Sequence, residues 1–237
     1  MDVAVLLFDG VDSAEALGPA QVLGRLPGAR LWFVAADPGA KDGHNPPLHL
    51  QASHSVTQLP HPDAVLVPGG FGCLQLNDDH GLVDWVRTAH DTSRWTVAVS
   101  TGPVLLGAAG LLRGRRTTGH WLTSALLRAD GAVPVPDRVV EEDRIITAIG
   151  AAAAIEVALG LAAHELGDEE AAAIRTEIEF NPDATFDTTV PGAASALVRR
   201  WEEELRGEHD DAAATTRRWR HRRPPRRVVV HPGDDDG

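Results

Sequence analysis

The chain has 237 residues, of which 43% are hydrophobic, and a formal net charge of −12 at pH 7. This size and apolar content suffice for one α/β domain, whereas the acidic balance argues against nucleic acid as the main partner. The single cysteine excludes an internal disulfide and a cysteine-based metal cluster, and the absence of a long apolar run and of a basic N-terminal leader predicts a cytoplasmic protein with no membrane span.

Four short apolar runs in the first half of the chain predict buried parallel strands, and they cover residues 3–8, 31–36, 64–67 and 95–99. Helical patterns separate or follow these runs at residues 13–26, 79–90 and 100–112. A small hairpin is predicted in the loop region 44–61, with residues 48–50 facing residues 54–56.

The second half continues with shorter elements. These are a strand at residues 117–119, a helix at 121–128, a hairpin joining 139–141 to 144–147, and helices at 150–166, 168–180 and 192–206. The alternation predicts an α/β fold, a three-layer sandwich with a mostly parallel central sheet. We expect one domain over residues 1–206 and a disordered tail over 207–237. The arginine-rich stretch 217–227 leaves open an arm that binds RNA, a membrane or a protein partner.

Three loops follow predicted strands at their carboxyl ends, which is where open α/β sheets bind ligands. They are residues 10–18, 69–73 and 100–102. In the third loop, Ser100 stands at the corner between a strand and a helix start, a place suited to a nucleophile or to anion binding. Since serine is a weak nucleophile without a neighbouring base, its chemistry depends on the groups that the other two loops bring to it.

These two loops supply candidate partners for Ser100. Glu15 lies in the first helical turn among apolar neighbours, so it is a candidate general acid/base; the alternative is a carboxylate that only complements the helix dipole. Gly69 and Gly70 follow a buried strand, and their N–H groups are candidates for an oxyanion hole; the alternative is an ordinary turn. No phosphate loop is predicted, because no Gly-Lys-Ser/Thr follows the glycine pair.

The histidines do not predict a metal site. Positions 44, 49, 54 and 61 are scattered over one loop region and lack the spacing of metal ligands. His120 is placed near the predicted crevice, with a hydrogen-bonded structural role as the alternative. Cys73 is expected to be a small buried apolar residue; the alternative is a reactive thiol, which requires a neighbouring group that lowers its pKa.

One set of motifs runs through residues 3–190. It comprises residues 7–10, 15–23, 67–72, 99–118, 120–121 and 144–148, and the alanine-rich helix after Gly150. Together these motifs resemble the PfpI/ThiJ superfamily, which has the class I glutamine amidotransferase-like (flavodoxin-like) fold. The nearest branch is similar to isonitrile hydratases and to the sensor domains of related transcription regulators. The resemblance implies a small-molecule substrate, no cofactor or metal, and a homodimer.

The resemblance also implies roles for individual residues. The family's nucleophile, a cysteine at the strand-to-helix corner, corresponds to Ser100, its acidic partner corresponds to Glu15, and the threonine after it corresponds to Thr101. The implied substrate and oxyanion site is formed by Gly69, Gly70, Phe71 and His120, and in it the N–H groups of Gly70 and Phe71 stabilise an oxyanion. A threonine at position 101, where the protease-like branch has histidine, argues against that branch. The short remainder of the chain predicts no helix-turn-helix domain.

The serine at position 100 leaves three interpretations open. First, an introduced cysteine-to-serine change traps an enzyme of the isonitrile-hydratase type. Second, the serine is native and binds substrate, while Glu15 carries out acid–base chemistry without a covalent step. Third, the domain has lost catalysis and keeps a ligand-binding or structural role. We favour an enzymatic function, a cofactor-independent lyase or hydratase with Glu15, Ser100 and Thr101 as catalytic residues.

Overall fold

The computed structural model describes residues 1–44 and 48–180. The strands in this part of the chain are β1 (Asp2–Leu6), β2 (Arg30–Ala35), β3 (Gly39–Asp42), β4 (His49–Ala52), β5 (His54–Ser55), β6 (Ala64–Val67), β7 (Trp95–Val99), β8 (Arg116–Thr117), β9 (Val133–Pro134), β10 (Val139–Glu142) and β11 (Ile145–Ala148). The helices are α1 (Ser13–Leu23), α2 (His80–Thr92), α3 (Pro103–Ala108), α4 (Ser124–Ala129), α5 (Gly150–Leu166) and α6 (Asp168–Glu177). Short 3₁₀ helices cover Val56–Gln58, Phe71–Asp78 and Trp121–Thr123.

Seven strands form the main sheet, in the order β10-β11-β7-β6-β1-β2-β5. All neighbours are parallel except the antiparallel pair β10–β11. Helices α1, α5 and α6 pack together, and so do α2 and α3. The predicted α/β class with a mostly parallel central sheet flanked by helices is therefore confirmed.

The strand order changes direction at β1, and this change creates the crevice. The chain runs from β1 to β2 on one side and then returns to β6 and β7 on the other side. The loops that follow β1 and β6 therefore diverge, which leaves space above the carboxyl ends of the strands. Glu15 follows β1, Gly69 follows β6 and Ser100 follows β7, so all three lie at this edge of the sheet.

The burial of the central strands explains why these strands could be predicted from the sequence. From Val3 to Leu6 the side chains are 0% exposed, and those from Ala64 to Val67 are at most 3% exposed. A strand that is covered by helices on both faces needs apolar residues at successive positions instead of alternate ones. Continuous apolar runs are the result, and both strands end where glycine-containing loops begin.

A buried polar cluster lies at the start of β7, at the end of the strand opposite to Ser100. Thr96 Oγ1 is 2.9 Å from His90 Nδ1 and 3.2 Å from Ser93 Oγ. The three residues are 0%, 7% and 1% exposed. Burial lowers the pKa of His90, with a further contribution from the positive charge of Arg144, so the imidazole is neutral at neutral pH. Thr96 thus has a fully buried, hydrogen-bonded hydroxyl in β7, the strand that leads to Ser100.

Three predicted elements are corrected by the structure. The hairpin predicted between residues 48–50 and 54–56 is wrong: β4 pairs with β3, and β5 joins the main sheet beside β2. The helix predicted over 100–112 is confined to Pro103–Ala108, because the chain before it forms a tight turn and Gly110 (φ 77°) ends it. The helix predicted over 121–128 is divided into a 3₁₀ turn and α4, Ser124–Ala129.

The predictions for the C-terminal part of the chain lie outside the described residues. They are the helix at 192–206, the domain boundary near residue 206 and the disordered tail over 207–237. Among the residues that the structure describes, no helix has both the length and the apolar character needed to cross a bilayer.

Candidate active site

Ser100 occupies a strained corner between β7 and α3. Its φ of 58° lies in the left-handed region, which a residue with a Cβ adopts only when its surroundings impose it. Two backbone hydrogen bonds do so: the Ser100 N–H donates to the Ala148 carbonyl (2.8 Å), and the His120 N–H donates to the Ser100 carbonyl (2.7 Å). The side chain is held at the end of the strand and is only 6% exposed, as in a nucleophile elbow.

Glu15 reaches the corner from the first turn of α1. Asp12 caps this helix, with Oδ1 accepting from the Ala14 N–H at 2.9 Å. The Glu15 side chain is 5% exposed. Its Oε2 accepts a hydrogen bond from the Gly69 N–H (2.8 Å), and the Ser100 hydroxyl lies close enough to the carboxyl to stabilise its charged form. The structure therefore brings together the carboxyl and the hydroxyl that the sequence singled out.

The electrostatic setting makes Glu15 a proton donor and acceptor near neutral pH. Burial raises the pKa of its carboxyl from 4.5 to about 7, and the negative charge of Asp12 adds to this shift. The hydrogen bonds from Gly69 and Ser100 act in the opposite direction, since they stabilise the carboxylate. A group that titrates near pH 7 is suited to general acid–base catalysis in the neutral range.

Gly69 is glycine because of the space around it. A Cβ at this position would lie 2.5 Å from Glu15 Oε2, 2.8 Å from Ser100 Cβ and 2.8 Å from the Thr101 nitrogen. These distances are shorter than van der Waals contact. The absence of a side chain at position 69 is therefore what allows the carboxyl and the elbow to approach each other.

The Thr101 hydroxyl binds both backbone groups of Gly70, the second glycine of the pair. Its Oγ1 accepts from the Gly70 N–H and donates to the Gly70 carbonyl, each at 2.9 Å. Gly70 has φ 122°, a conformation that favours glycine. The Gly69 and Gly70 N–H groups, which the sequence nominated for an oxyanion hole, therefore donate to Glu15 and to Thr101 in this structure.

One backbone donor at this site was missed from the sequence. The Thr101 N–H directly follows the elbow residue and makes no hydrogen bond with any residue in the described part of the chain. It is 2.8 Å from the point where a Gly69 Cβ would stand, so it borders the same small space as Glu15 Oε2. The general rule for a nucleophile elbow, that the next N–H serves the oxyanion, would have found it.

Phe71 and His120 lie beside the site: Phe71 directly follows Gly70, and His120 binds the backbone of Ser100. Phe71 begins a 3₁₀ helix directly after Gly70, and its ring contacts the His44 ring edge-on at 4.7 Å. His120 contributes its backbone N–H to the Ser100 carbonyl. Burial lowers the pKa of its imidazole, so the ring is neutral at neutral pH. Its Nδ1 accepts a hydrogen bond from the Leu122 N–H at 3.4 Å, and a role of the ring in substrate binding stays a prediction.

Helix α5 is a second element that sequence reasoning did not assign to the site. It packs against α1 where Gly18 faces Ile155: a Cβ on Gly18 would be 3.1 Å from Ile155 Cγ1. Its first residue, Gly150, lies beside the carboxyl, since a Cβ there would be 3.9 Å from Glu15 Oε1. The close approach of the two helices through small residues therefore holds Glu15 between the start of α5 and the elbow.

Cys73 lies under the site and has the structural role that the sequence predicts. It is 0% exposed, and its thiol donates to the Thr101 carbonyl at 3.6 Å. Burial raises the pKa of the thiol to about 12, so no thiolate forms near neutral pH. In the described ranges, no three His, Cys, Asp or Glu side chains converge in a way that could hold a metal ion.

Comparison with known proteins places this site in a family. The model of the DJ-1/PfpI family matches residues 1–164. An isonitrile hydratase from Pseudomonas putida is 34% identical over 198 residues, which is 84% of this chain and 86% of that protein. A ThiJ/PfpI family protein from Pseudomonas syringae has a structure similar to this one, with a TM-score of 0.77, 27% identity, and coverage of 87% of this chain and 86% of that one.

A glutathione-independent glyoxalase from Caenorhabditis elegans is a further relative, 31% identical over 97 residues, or 41% of this chain and 52% of that protein. The family match extends over more than half of the chain and includes all the site residues described above. The chain belongs to the DJ-1/PfpI family.

Proposed function

We propose that this member of the DJ-1/PfpI family is a cofactor-independent hydratase that adds water to a small organic molecule of the isonitrile type. Glu15 is the general acid and base, and Ser100 and Thr101 orient the reactants. The similarity to an isonitrile hydratase over most of both chains supports the substrate class. The observation that carries the proposal is the buried Glu15 carboxyl, with a pKa of about 7, in contact with the side chain at the elbow.

The reaction needs one proton to be delivered and one to be removed. The protonated Glu15 carboxyl transfers its proton to the terminal carbon of R–N≡C, which leaves a cation of the form R–N≡CH⁺ and a carboxylate. Water adds to that carbon and loses a proton to the Glu15 carboxylate. The resulting R–N=CH–OH rearranges to the formamide R–NH–CHO, and the carboxyl is again protonated for the next turnover.

The other site residues assist this cycle. The Ser100 side chain hydrogen-bonds to the carboxyl and fixes its direction, and the Gly69 N–H does so from the opposite loop. The Thr101 N–H lies beside the same space and is placed to donate to the oxygen that water brings. Phe71 and His120 border the site and would contact the remainder of the substrate.

We assign bond formation to water and orientation to Ser100. A serine hydroxyl and water are both very weak acids, so either of them would need the Glu15 carboxylate, with its pKa of about 7, to take the proton during attack. Attack by water gives the hydration product directly, whereas attack by Ser100 would leave a covalent intermediate that a second water must release.

The test is the pH dependence of kcat/KM for an alkyl isonitrile, followed by the loss of the isonitrile infrared band. Because the protonated carboxyl acts first, kcat/KM is expected to be constant at acidic pH and to fall about tenfold per pH unit above the Glu15 pKa of about 7. Ser100→Ala removes a hydrogen bond that stabilises the carboxylate. It is expected to move this fall to higher pH and to lower the maximum rate by about 10–100-fold.

Ser100→Cys separates this proposal from the remaining interpretations. Turnover by the wild type that decreases when cysteine is introduced supports acid–base chemistry with a native serine. A wild type that binds the isonitrile without converting it, together with conversion by Ser100→Cys, contradicts the proposal and indicates a domain that has lost its nucleophile. A pH profile that is flat across the neutral range contradicts the role of Glu15.

Two further parts of the proposal concern the whole protein. We propose that the chain forms a homodimer and acts in the cytoplasm, as the family resemblance and the single buried cysteine suggest. Both stay predictions, and size-exclusion chromatography with light scattering checks the first of them.

A further inference from the structure

We propose that Thr147 in β11 is a positioning residue for the elbow. Its hydroxyl holds the segment 117–120 in place, and His120 at the end of this segment binds the strained backbone of Ser100. This inference deepens the proposed function and rests on it for its catalytic consequence.

The Thr147 hydroxyl is the anchor of this segment. Thr147 Oγ1 accepts a hydrogen bond from the Thr118 N–H at 2.9 Å and from the Thr117 hydroxyl at 3.3 Å. Thr147, Thr117 and Thr118 are 1%, 0% and 2% exposed. At such burial a missing partner is not replaced by water, so each bond constrains the backbone that carries it.

Two short backbone segments connect the Thr147 hydroxyl to Ser100. Two residues after Thr118, the His120 N–H donates to the Ser100 carbonyl at 2.7 Å. One residue after Thr147, the Ala148 carbonyl accepts from the Ser100 N–H at 2.8 Å. Of the two backbone hydrogen bonds that hold Ser100 at φ 58°, one is therefore made two residues after Thr118 and the other by the residue that follows Thr147.

Packing alone does not account for a threonine at this position. The other residues of β11, Ile145, Ile146 and Ala148, are apolar and at most 4% exposed. Valine has nearly the shape of threonine and would fill the same space without a buried polar group. Packing therefore does not explain the hydroxyl, whereas its hydrogen bonds to Thr117 and Thr118 do, because these residues lie in the segment that leads to the elbow.

The chain offers a matched control in the neighbouring strand. Thr96 in β7 is also fully buried, and its hydroxyl bonds to His90 and Ser93. It lies at the start of β7, whereas Ser100 follows the end of that strand, so Thr96→Val also removes a buried hydrogen-bonded hydroxyl but leaves the elbow untouched. A purely structural role of Thr147 predicts the same behaviour for Thr147→Val and Thr96→Val.

The experiment reads the elbow directly, without substrate. In the full-length protein, carboxyl-carbon NMR follows the titration of Glu15, whose signal is identified by its loss in Glu15→Gln, and amide exchange follows the His120 N–H. With Thr147→Val the Ser100 contact to the carboxyl weakens, so the Glu15 pKa is expected to rise by about 0.5 and His120 exchange to accelerate about tenfold. Thr147→Ser, which keeps the hydroxyl, is expected to restore both values, and Thr96→Val to change neither.

The inference is overturned if Thr147→Val leaves the Glu15 titration and the His120 exchange rate as in the wild type, or if Thr96→Val changes them equally. Should Thr147→Val fail to fold, Thr117→Val removes the weaker of the two bonds and is expected to give smaller changes in the same directions; no change then overturns the inference. For the activity, Thr147→Val is expected to lower kcat about tenfold with KM within about twofold. Loss of the proposed function shows separately, as unchanged turnover in Glu15→Gln.

Discussion

Replacing Glu15 with glutamine is expected to lower kcat/KM for an alkyl isonitrile by about 10²–10⁴-fold, the range for loss of a general acid–base catalyst. Glutamine has the same shape, and its amide oxygen still accepts from the Gly69 N–H, which the carboxyl now binds at 2.8 Å. It cannot deliver a proton to the substrate or take one from water. Steady-state kinetics at pH 6 to 8, with circular dichroism as a check on folding, measures the effect.

The same substitution is expected to stabilise the protein at alkaline pH. The Glu15 pKa is about 7 in the folded chain and near its ordinary 4.5 when unfolded, so the folded state binds the proton more tightly. The wild type therefore loses stability as pH rises from 4.5 to 7, by about 3 kcal/mol at most, and glutamine escapes this loss. Urea unfolding at pH 4.5 and pH 8 is expected to give a gap between variant and wild type only at the higher pH.

A matched control sharpens both measurements. Glu177, whose side chain is 63% exposed and pairs with Arg25 at the surface, is also a helix carboxylate but is remote from the elbow. Glu177→Gln is expected to leave kcat/KM and the pH dependence of stability close to those of the wild type. Full turnover in Glu15→Gln, or equal stability changes in the two variants, would show that Glu15 is not the acid–base group.

Gly69→Ala is the second change with a large expected effect. The methyl group would stand 2.5 Å from Glu15 Oε2 and 2.8 Å from both the Ser100 Cβ and the Thr101 nitrogen, so the carboxyl and the elbow must separate. We expect a loss of kcat/KM of at least about 10²-fold and a destabilisation of about 1–3 kcal/mol from overpacking. Kinetics and thermal unfolding measure the two effects.

Gly160 in α5 provides the comparison for Gly69. A Cβ there meets nothing within 4 Å, and the residue lies inside a helix. Gly160→Ala is therefore expected to stabilise the protein by about 0.5–1 kcal/mol and to leave turnover unchanged. If Gly69→Ala retained wild-type turnover, the close approach of Glu15 to the elbow would not be needed for catalysis.

The parallel sheet and the three loops above it were predictable because each depends on a local pattern. Residues 3–8 and 64–67 are uninterrupted apolar runs, which is what burial on both faces requires, and each ends in a glycine-containing loop. The hairpin of β3 and β4 was not predicted, since Gly39–Asp42 has no apolar alternation and gains its place by pairing with β4. The pairing of two strands is decided by tertiary contacts, and the sequence of such a short polar strand does not predict it.

The pairing of Glu15 with Ser100 could be predicted because both residues follow the carboxyl ends of predicted parallel strands, but the hydrogen-bond pattern around them could not. The sequence nominated the N–H groups of Gly69 and Gly70, and it cannot show that a hydroxyl from Thr101 closes on one of them. Nor does it show that Gly150 lies beside the carboxyl, because this depends on how closely α1 and α5 pack. The pKa of about 7 is a product of that packing.

The chemical character of the elbow has a consequence for resistance to damage. The atom at its tip is a serine oxygen, which neither peroxide nor alkylating electrophiles attack under mild conditions. The chain's single sulfhydryl, Cys73, is 0% exposed and stays protonated because its pKa is about 12. The proposed hydration should therefore continue under oxidative stress that would inactivate an enzyme dependent on a thiolate.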